Sequence, residues 1–258
     1  MSKQTIQGHA SLIAAEGPDV GSLAAHALEI VARQRRARRQ HTIVQRSADR
    51  LIESVMGRSD ESFRSVVRSM LSTDIPPEAI IDNYVPAVAR EMGRRWSDDT
   101  ASFAEVSIGS ARLQSLLREL GSLWAETTGE RARPRRPCVL VLSPSSAQHT
   151  LGTWVLTSQL RRRGMSVRTW KGLPDDLILA ELEEGQFSAV MVSASLADDE
   201  TELECLIQTT QMSRCAATQK IVLGGSILPQ DGTGRLPDGI ACATSDVADA
   251  LAFCGLNL

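Results

Sequence analysis

The chain has 258 residues, 42% of them hydrophobic, and a formal net charge of −3, which is enough apolar content for one large or two modest cores and excludes wholesale disorder. No apolar run reaches the ~18–20 residues that span a bilayer, and the polar N-terminus, Met1 to Val20, lacks the charged-then-apolar pattern of a secretory signal, so a cytoplasmic protein of two domains, with no membrane partner, is expected. Five cysteines, Cys138, Cys205, Cys215, Cys242 and Cys254, are odd in number and form no CxxC pair, which argues against a disulfide framework and a zinc cluster and leaves buried reduced thiols.

The charge is unevenly spread. Residues 1–136 carry 20 Lys+Arg against 17 Asp+Glu, a balance of +3, whereas residues 137–258 carry 8 against 14, a balance of −6. Residues 1–20 read as a flexible tail. The run Arg33 to Arg39 offers clustered guanidinium groups to phosphate, but a solvated helix face is the commoner outcome for such a run and no DNA-binding motif accompanies it. Direct DNA contact is therefore the lesser reading.

From Leu23 to about Glu126 the apolar residues recur every three or four positions, as in Ile80, Ile81, Tyr84, Val85, Val88 and Leu113, Leu116, Leu117, Leu120. That is the stripe of amphipathic helices. Polar breaks at Met56–Asp60, Thr73–Pro77 and Trp96–Thr100 divide it into four or five helices, with Ser59 or Asp60 and Asp74 as N-caps and Pro76 and Pro77 in a first turn. Residues 21–128 thus form a helical bundle. The polar, twice proline-interrupted segment 129–137 is the linker.

Beyond it the period changes. Cys138 to Leu142, Ala189 to Val192 and Ile221 to Leu223 are continuous apolar runs with the length of strands buried on both faces. Shorter strands are expected at Ser166 to Trp170 and Ile240 to Ala243. Helices are expected at Gly152 to Arg163, Asp175 to Glu184, Asp198 to Ser213 and Asp246 to Phe253, in a set of five β and five α units. Residues 138–258 therefore form a Rossmann-like domain with a five-stranded parallel sheet in flavodoxin-like order. Ligands of such folds collect outside the carboxyl ends of the strands. There this chain places His149 with Gly152 after the first strand, Ser193-Ala194-Ser195 after the third and Gly224-Gly225 after the fourth. Small residues on two neighbouring strand ends leave a slot between sheet and helices, with His149 at its mouth.

His149-x-x-Gly152, Ser193 and Gly224-Gly225, in this order and spacing, resemble the signature of cobalamin (vitamin B12)-binding domains. The resemblance implies that His149 is the lower axial ligand of cobalt, in place of the cofactor's own dimethylbenzimidazole. The displaced nucleotide tail would lie in a channel lined by Ser193, Gly224 and Gly225, with Thr150, Leu151, Gly152 and Ser195 beside it. Trp96 and Phe103-Ala104-Glu105 resemble the helical cap that covers the upper face of cobalamin in corrinoid proteins and B12-dependent photoreceptors, where an aromatic side chain shields the upper ligand. The form of the cofactor, adenosyl-, methyl- or hydroxocobalamin, is left open.

Two departures bear on function. The family's Asp-x-His-x-x-Gly has Ala147 in place of its aspartate, so the carboxylate that would fix and strengthen a histidine ligand is missing. Ser97 stands where related photoreceptor caps carry a histidine next to the tryptophan, and Val106-Ser107 where they carry a Glu-His pair. A second histidine ligand is therefore not available at those positions, and His9, His26 and His41 remain unplaced candidates for one, with an ordinary surface residue the commoner outcome for each. The string from Phe103 to Gln114 together with Gln148-His149-Thr150-Leu151-Gly152 is most similar to the AerR/PpaA group of bacterial antirepressors. That resemblance implies a non-catalytic, light- or redox-responsive regulator whose partner is a transcription repressor of the CrtJ/PpsR type, in photosynthesis gene control. The alternative is the corrinoid protein of a cobalamin-dependent methyltransferase.

Overall fold

The computed structural model describes residues 45–73, 75–125, 136–147, 150–213, 220–228, 237–238 and 240–256. The N-terminal tail, the arginine-rich run, His9, His26, His41, Cys215 and most of the expected linker lie outside them. The chain divides into two compact units, Met1–Asp49 and Arg50–Leu258. Of the first, only the helical stretch 45–49 is described.

The second unit opens with helix α1, residues 50–56, followed by α2 (Asp60–Ser72), the single turn α3 (Pro77–Ala79), a π-helical turn (Ile80–Tyr84), α4 (Val85–Ser97) and α5 (Phe103–Ala125). The breaks fall where the polar segments predicted them. Ser59 caps α2 by accepting from the Ser62 amide at 3.2 Å, while Asp60 lies within its first turn. At the next break Pro76 is the N-cap and Pro77 the first helical residue, where Asp74 was the expected cap; Asp74 itself lies outside the described residues. Ser102 and Glu105 form a reciprocal capping box at the start of α5: the Ser102 amide donates to Glu105 Oε2 at 2.8 Å and the Glu105 amide to Ser102 Oγ at 3.3 Å. Leu51, Ile80, Ile81, Leu113 and Leu117 are fully buried. Gly109 permits a close helix crossing, because a Cβ there would stand 2.6 Å from Met92 Cε and 3.1 Å from Val55 Cγ1.

The sheet consists of β1 (Cys138–Ser143), β2 (Ser166–Lys171), β3 (Ala189–Ser193), β4 (Lys220–Gly224) and β5 (Cys242–Ala243). All are parallel, in the flavodoxin-like order β2-β1-β3-β4-β5. Alternate residues of β1, β3 and β4 enter two cores. Leu140, Leu142, Val190, Val192, Ile221 and Leu223 pack with α7 (Asp175–Glu184) and α8 (Glu200–Met212) on one face. Val139, Val141, Met191 and Val222 pack with α6 (Leu151–Arg162) and α9 (Val247–Cys254) on the other. Burial on both faces explains the unbroken apolar runs. The edge strand β2 is mostly exposed and carries Arg168 and Lys171, charges that discourage further strand pairing.

Three expectations are revised. β5 is only two residues long, and four helices rather than five flank the sheet among the described residues. The thiols are not fully buried either: Cys205 is exposed, while Cys138, Cys242 and Cys254 are half-buried, enough for burial to push all three thiol pKa values up. No described helix is long and apolar enough to cross a membrane.

Candidate functional site

β1, β3 and β4 end side by side, and their carboxyl ends carry most of the residues singled out above. β3 pairs with β4 so that Ser193 stands opposite Gly224. Gly152, in the first turn of α6, faces the same hydroxyl: a Cβ on it would lie 3.7 Å from Ser193 Oγ. Gly152, Ser193 and Gly224 are therefore brought together at one point of the sheet edge. Among the described residues Ser193 Oγ has no hydrogen-bond partner, so a hydroxyl is presented across from a residue with no side chain.

The neighbouring positions have other work. Ser195 is folded back on Asp198, donating its amide to Oδ2 at 2.7 Å and its hydroxyl to Oδ1 at 2.8 Å. Gly225 has φ +107°, and a Cβ there would fall 2.1 Å from the Ala194 carbonyl oxygen. That clash, and not passage of a ligand alone, makes glycine obligatory at 225. At the end of β1, Ser143 Oγ and Thr153 Oγ1 are hydrogen-bonded at 3.0 Å. Leu151 is buried, and Thr150 precedes it at the N-cap of α6. His149 and Gln148 lie outside the described residues, between Ala147 and Thr150, both of which are described.

The helical segment reaches over this edge. Gln114 Nε2 lies 3.5 Å from Thr150 Oγ1, and seven residues further along α5 a Cβ on Gly121 would be 3.9 Å from Ser158 Oγ. α5 and α6 thus run in the same direction. α6 begins at the carboxyl end of β1, so the part of α5 that precedes Gln114 runs on past the start of α6; Phe103 lies eleven positions before Gln114, about 16 Å along the helix axis at ~1.5 Å per residue. At that far end Phe103 meets Trp96 of α4 edge-to-face, with ring centroids 6.0 Å apart. Phe103 is 74% exposed and Trp96 46%. Large aromatics are ordinarily buried, so this pair is not part of the core of the bundle. Asp82, in the π-helical turn, and Arg162, in the last turn of α6, fasten the two segments, with one guanidinium nitrogen 2.5 and 2.6 Å from the carboxylate oxygens.

Glu202, in the first turn of α8, escaped the sequence reading. Its carboxylate accepts from the Ser145 amide at 2.5 Å and the Ser146 amide at 3.0 Å, and these hydrogen bonds hold its pKa down to about 2. Only the helix start is legible locally, from Asp199, which caps α8 by accepting from the Glu202 amide at 2.8 Å. The partners of the Glu202 side chain lie more than fifty residues upstream.

These residues fit the cofactor that the sequence resemblance implies. A glycine opposite a hydroxyl that has no partner among the described residues is a cradle that a Cβ would narrow, and the helix that contacts Thr150 through Gln114 starts at an exposed aromatic pair. Among the described residues no group of three or more His, Cys, Asp or Glu side chains is arranged to hold a bare metal ion.

No protein-family model matches the chain. It is 30% identical over 176 residues to an uncharacterized 20.5 kDa protein of the bchF-crtJ intergenic region of Rhodobacter capsulatus, a match covering 67% of this chain and 89% of that protein. Its fold is similar to that of the monomethylamine corrinoid protein of Methanosarcina barkeri, with a TM-score of 0.63 at 13% identity over 82% of this chain and 98% of the other. A cobalamin-binding protein from Desulfitobacterium hafniense DCB-2 aligns less closely, with a TM-score of 0.41 at 13% identity over 81% and 97% of the two chains.

Proposed function

The chain belongs to the family of the 20.5 kDa protein of the bchF-crtJ intergenic region of Rhodobacter capsulatus, and from that premise we propose that it is a non-catalytic, cobalamin-binding regulator acting in the cytoplasm. The observation that carries the reading is the convergence of Gly152, Ser193 and Gly224 at the sheet edge, together with the exposed Trp96–Phe103 pair at the start of α5, the helix whose Gln114 contacts Thr150 at the start of α6. His149 would supply an imidazole nitrogen to cobalt. Ser193 would donate to the nucleotide tail beside the backbone of Gly152 and Gly224. Trp96 and Phe103 would exclude water from the opposite side. When bound, an alkylcobalamin supplies a cobalt–carbon bond that light or redox chemistry can break.

A ligand shifts a protein between two packings only if it binds them unequally. A group held by the start of α6 and the strand ends on one side and by α4 and α5 on the other would meet that condition, because it would touch both of the segments that the Gln114–Thr150 and Asp82–Arg162 contacts join. The partner in this reading is a repressor of the CrtJ/PpsR type. A crtJ gene flanks the region of the R. capsulatus relative, which supports that choice. The corrinoid-carrier alternative shares the fold, but Ala147, 97% buried, leaves no carboxylate at the position that supports a cycling cobalt ligand.

The test is binding of purified repressor to this protein, with and without bound cobalamin, in darkness and after illumination. A change in affinity between those states is expected. Identical repressor binding in all of them, or methyl turnover when the loaded protein meets a methyl donor and its transferase, overturns the proposal.

A further inference from the structure

We propose that Glu202 is the positioning residue of the β1–α6 loop, holding the approach to His149 in the shape that ligand binding requires; the inference rests on the cobalamin reading above. The loop leaves the sheet at Ser143, where its backbone amides lose the strand ladder and need other acceptors. The Ser145 and Ser146 amides converge on the Glu202 carboxylate, and the Asp199 amide donates back to Ser146 Oγ at 3.2 Å. Three hydrogen bonds thus clasp residues 145–146 to the first turn of α8. From the other side the β2 loop presses on the same residues: a Cβ on Gly172 would stand 2.6 Å from Ser145 Cβ, and the Gly172 amide donates to the Ser143 carbonyl at 3.0 Å. Ala147 follows, buried, with its amide on the Pro144 carbonyl at 3.2 Å.

Thr150, the next described residue, is the N-cap of α6. The described residues on both sides of positions 148 and 149 are therefore fixed, and one carboxylate on another helix supplies the two hydrogen bonds that hold the backbone amides of Ser145 and Ser146. A charged acceptor shared by two amides is stronger than a neutral one. It also occupies the pair of N–H groups at which a phosphate-bearing ligand of a flavodoxin-like fold would be expected to bind. Glu202 thus supplies, from α8, the charged acceptor that Ala147 of the loop itself lacks.

The experiment compares wild type with Glu202→Gln, which keeps the size and removes the charge, and with Glu204→Gln, an exposed glutamate on the same helix. Two quantities are read: hydrogen exchange of the Ser145 and Ser146 amides in the cofactor-free protein, and affinity and visible spectrum on titration with hydroxocobalamin. Glu202→Gln should speed the exchange at least tenfold, weaken cobalamin about 10- to 100-fold and reduce the histidine-ligated spectral component, with Glu204→Gln matching wild type. Faster exchange with unchanged affinity and spectrum reduces Glu202 to a purely structural clamp and overturns the inference, as does a Glu202→Gln protein indistinguishable from wild type in both readouts. Wild type that takes up no hydroxocobalamin instead refutes the function proposed above.

Discussion

Gly152→Val separates the binding slot from the fold. Gly152 lies in the first turn of α6, is exposed, and its added Cβ would make an ordinary van der Waals contact, 3.7 Å from Ser193 Oγ. Glycine and valine differ by only about 0.3–0.5 kcal/mol in helix propensity, in favour of valine, so the melting temperature should stay within about 2 °C of wild type for a chain of this size. The two methyl groups beyond that Cβ, however, occupy the space around the Ser193 hydroxyl. Overfilling a packed site costs about 1–3 kcal/mol, equivalent to a loss of about 5- to 150-fold in affinity. Calorimetric titration with cobalamin and with cobinamide, which lacks the nucleotide tail, provides the assay. The variant should lose affinity for cobalamin and keep its affinity for cobinamide. Wild-type affinity for cobalamin would refute the slot, and an equal loss for both ligands would place the obstruction under the corrin and not along the tail.

Three further outcomes are expected. Gly225→Ala should lower stability by about 3 kcal/mol or more, measured as the urea midpoint, because the new Cβ meets the Ala194 carbonyl at 2.1 Å in a backbone conformation unfavourable to alanine; an unshifted midpoint would show that this turn rearranges freely. Phe103→Ala, at a residue 74% exposed, should change stability by less than about 0.5 kcal/mol while speeding ligand exchange at the upper face of bound cobalamin, and unaltered exchange would remove the pair from that role. The depressed pKa of Glu202, about 2 against an ordinary 4.5, contributes stability that is complete above pH ~4.5 and is lost as pH falls toward 2. Screening at a half-exposed carboxylate limits this to about 1–2 kcal/mol. Urea midpoints at pH 5.5 and 2.5 should therefore fall further for wild type than for Glu202→Gln, and equal declines would contradict the assignment.

The sheet was legible because burial on both faces leaves a mark that period and length both report: β1, β3 and β4 begin and end within a residue or two of their apolar runs. The convergence of Gly152, Ser193 and Gly224 could also be anticipated, since three parallel strands of one sheet must end along the same edge. Distances across sequence were not readable. Nothing near Glu202 indicates that its carboxylate reaches Ser145 and Ser146, and nothing near Gly225 reveals the Ala194 carbonyl beneath it. Similar local patterns also concealed different duties. Glu105, within the Phe103-Ala104-Glu105 string that suggested a cap, serves the start of α5 through Ser102, and Ser195 spends its hydroxyl on Asp198 while Ser193 keeps its own available. The exposure of Trp96 and Phe103 required the structure, because aromatic residues in an amphipathic stripe resemble core until their surroundings are known.

Cobalamin retention by purified wild type and His149→Ala, read as the visible spectrum of the protein peak after gel filtration with hydroxocobalamin, tests the central claim most directly. Wild type should elute with about one equivalent of cobalamin and a histidine-ligated spectrum, and His149→Ala should elute with much less and without that signature. Wild type that emerges colourless, or a substituted protein with the same occupancy and spectrum, would contradict the account.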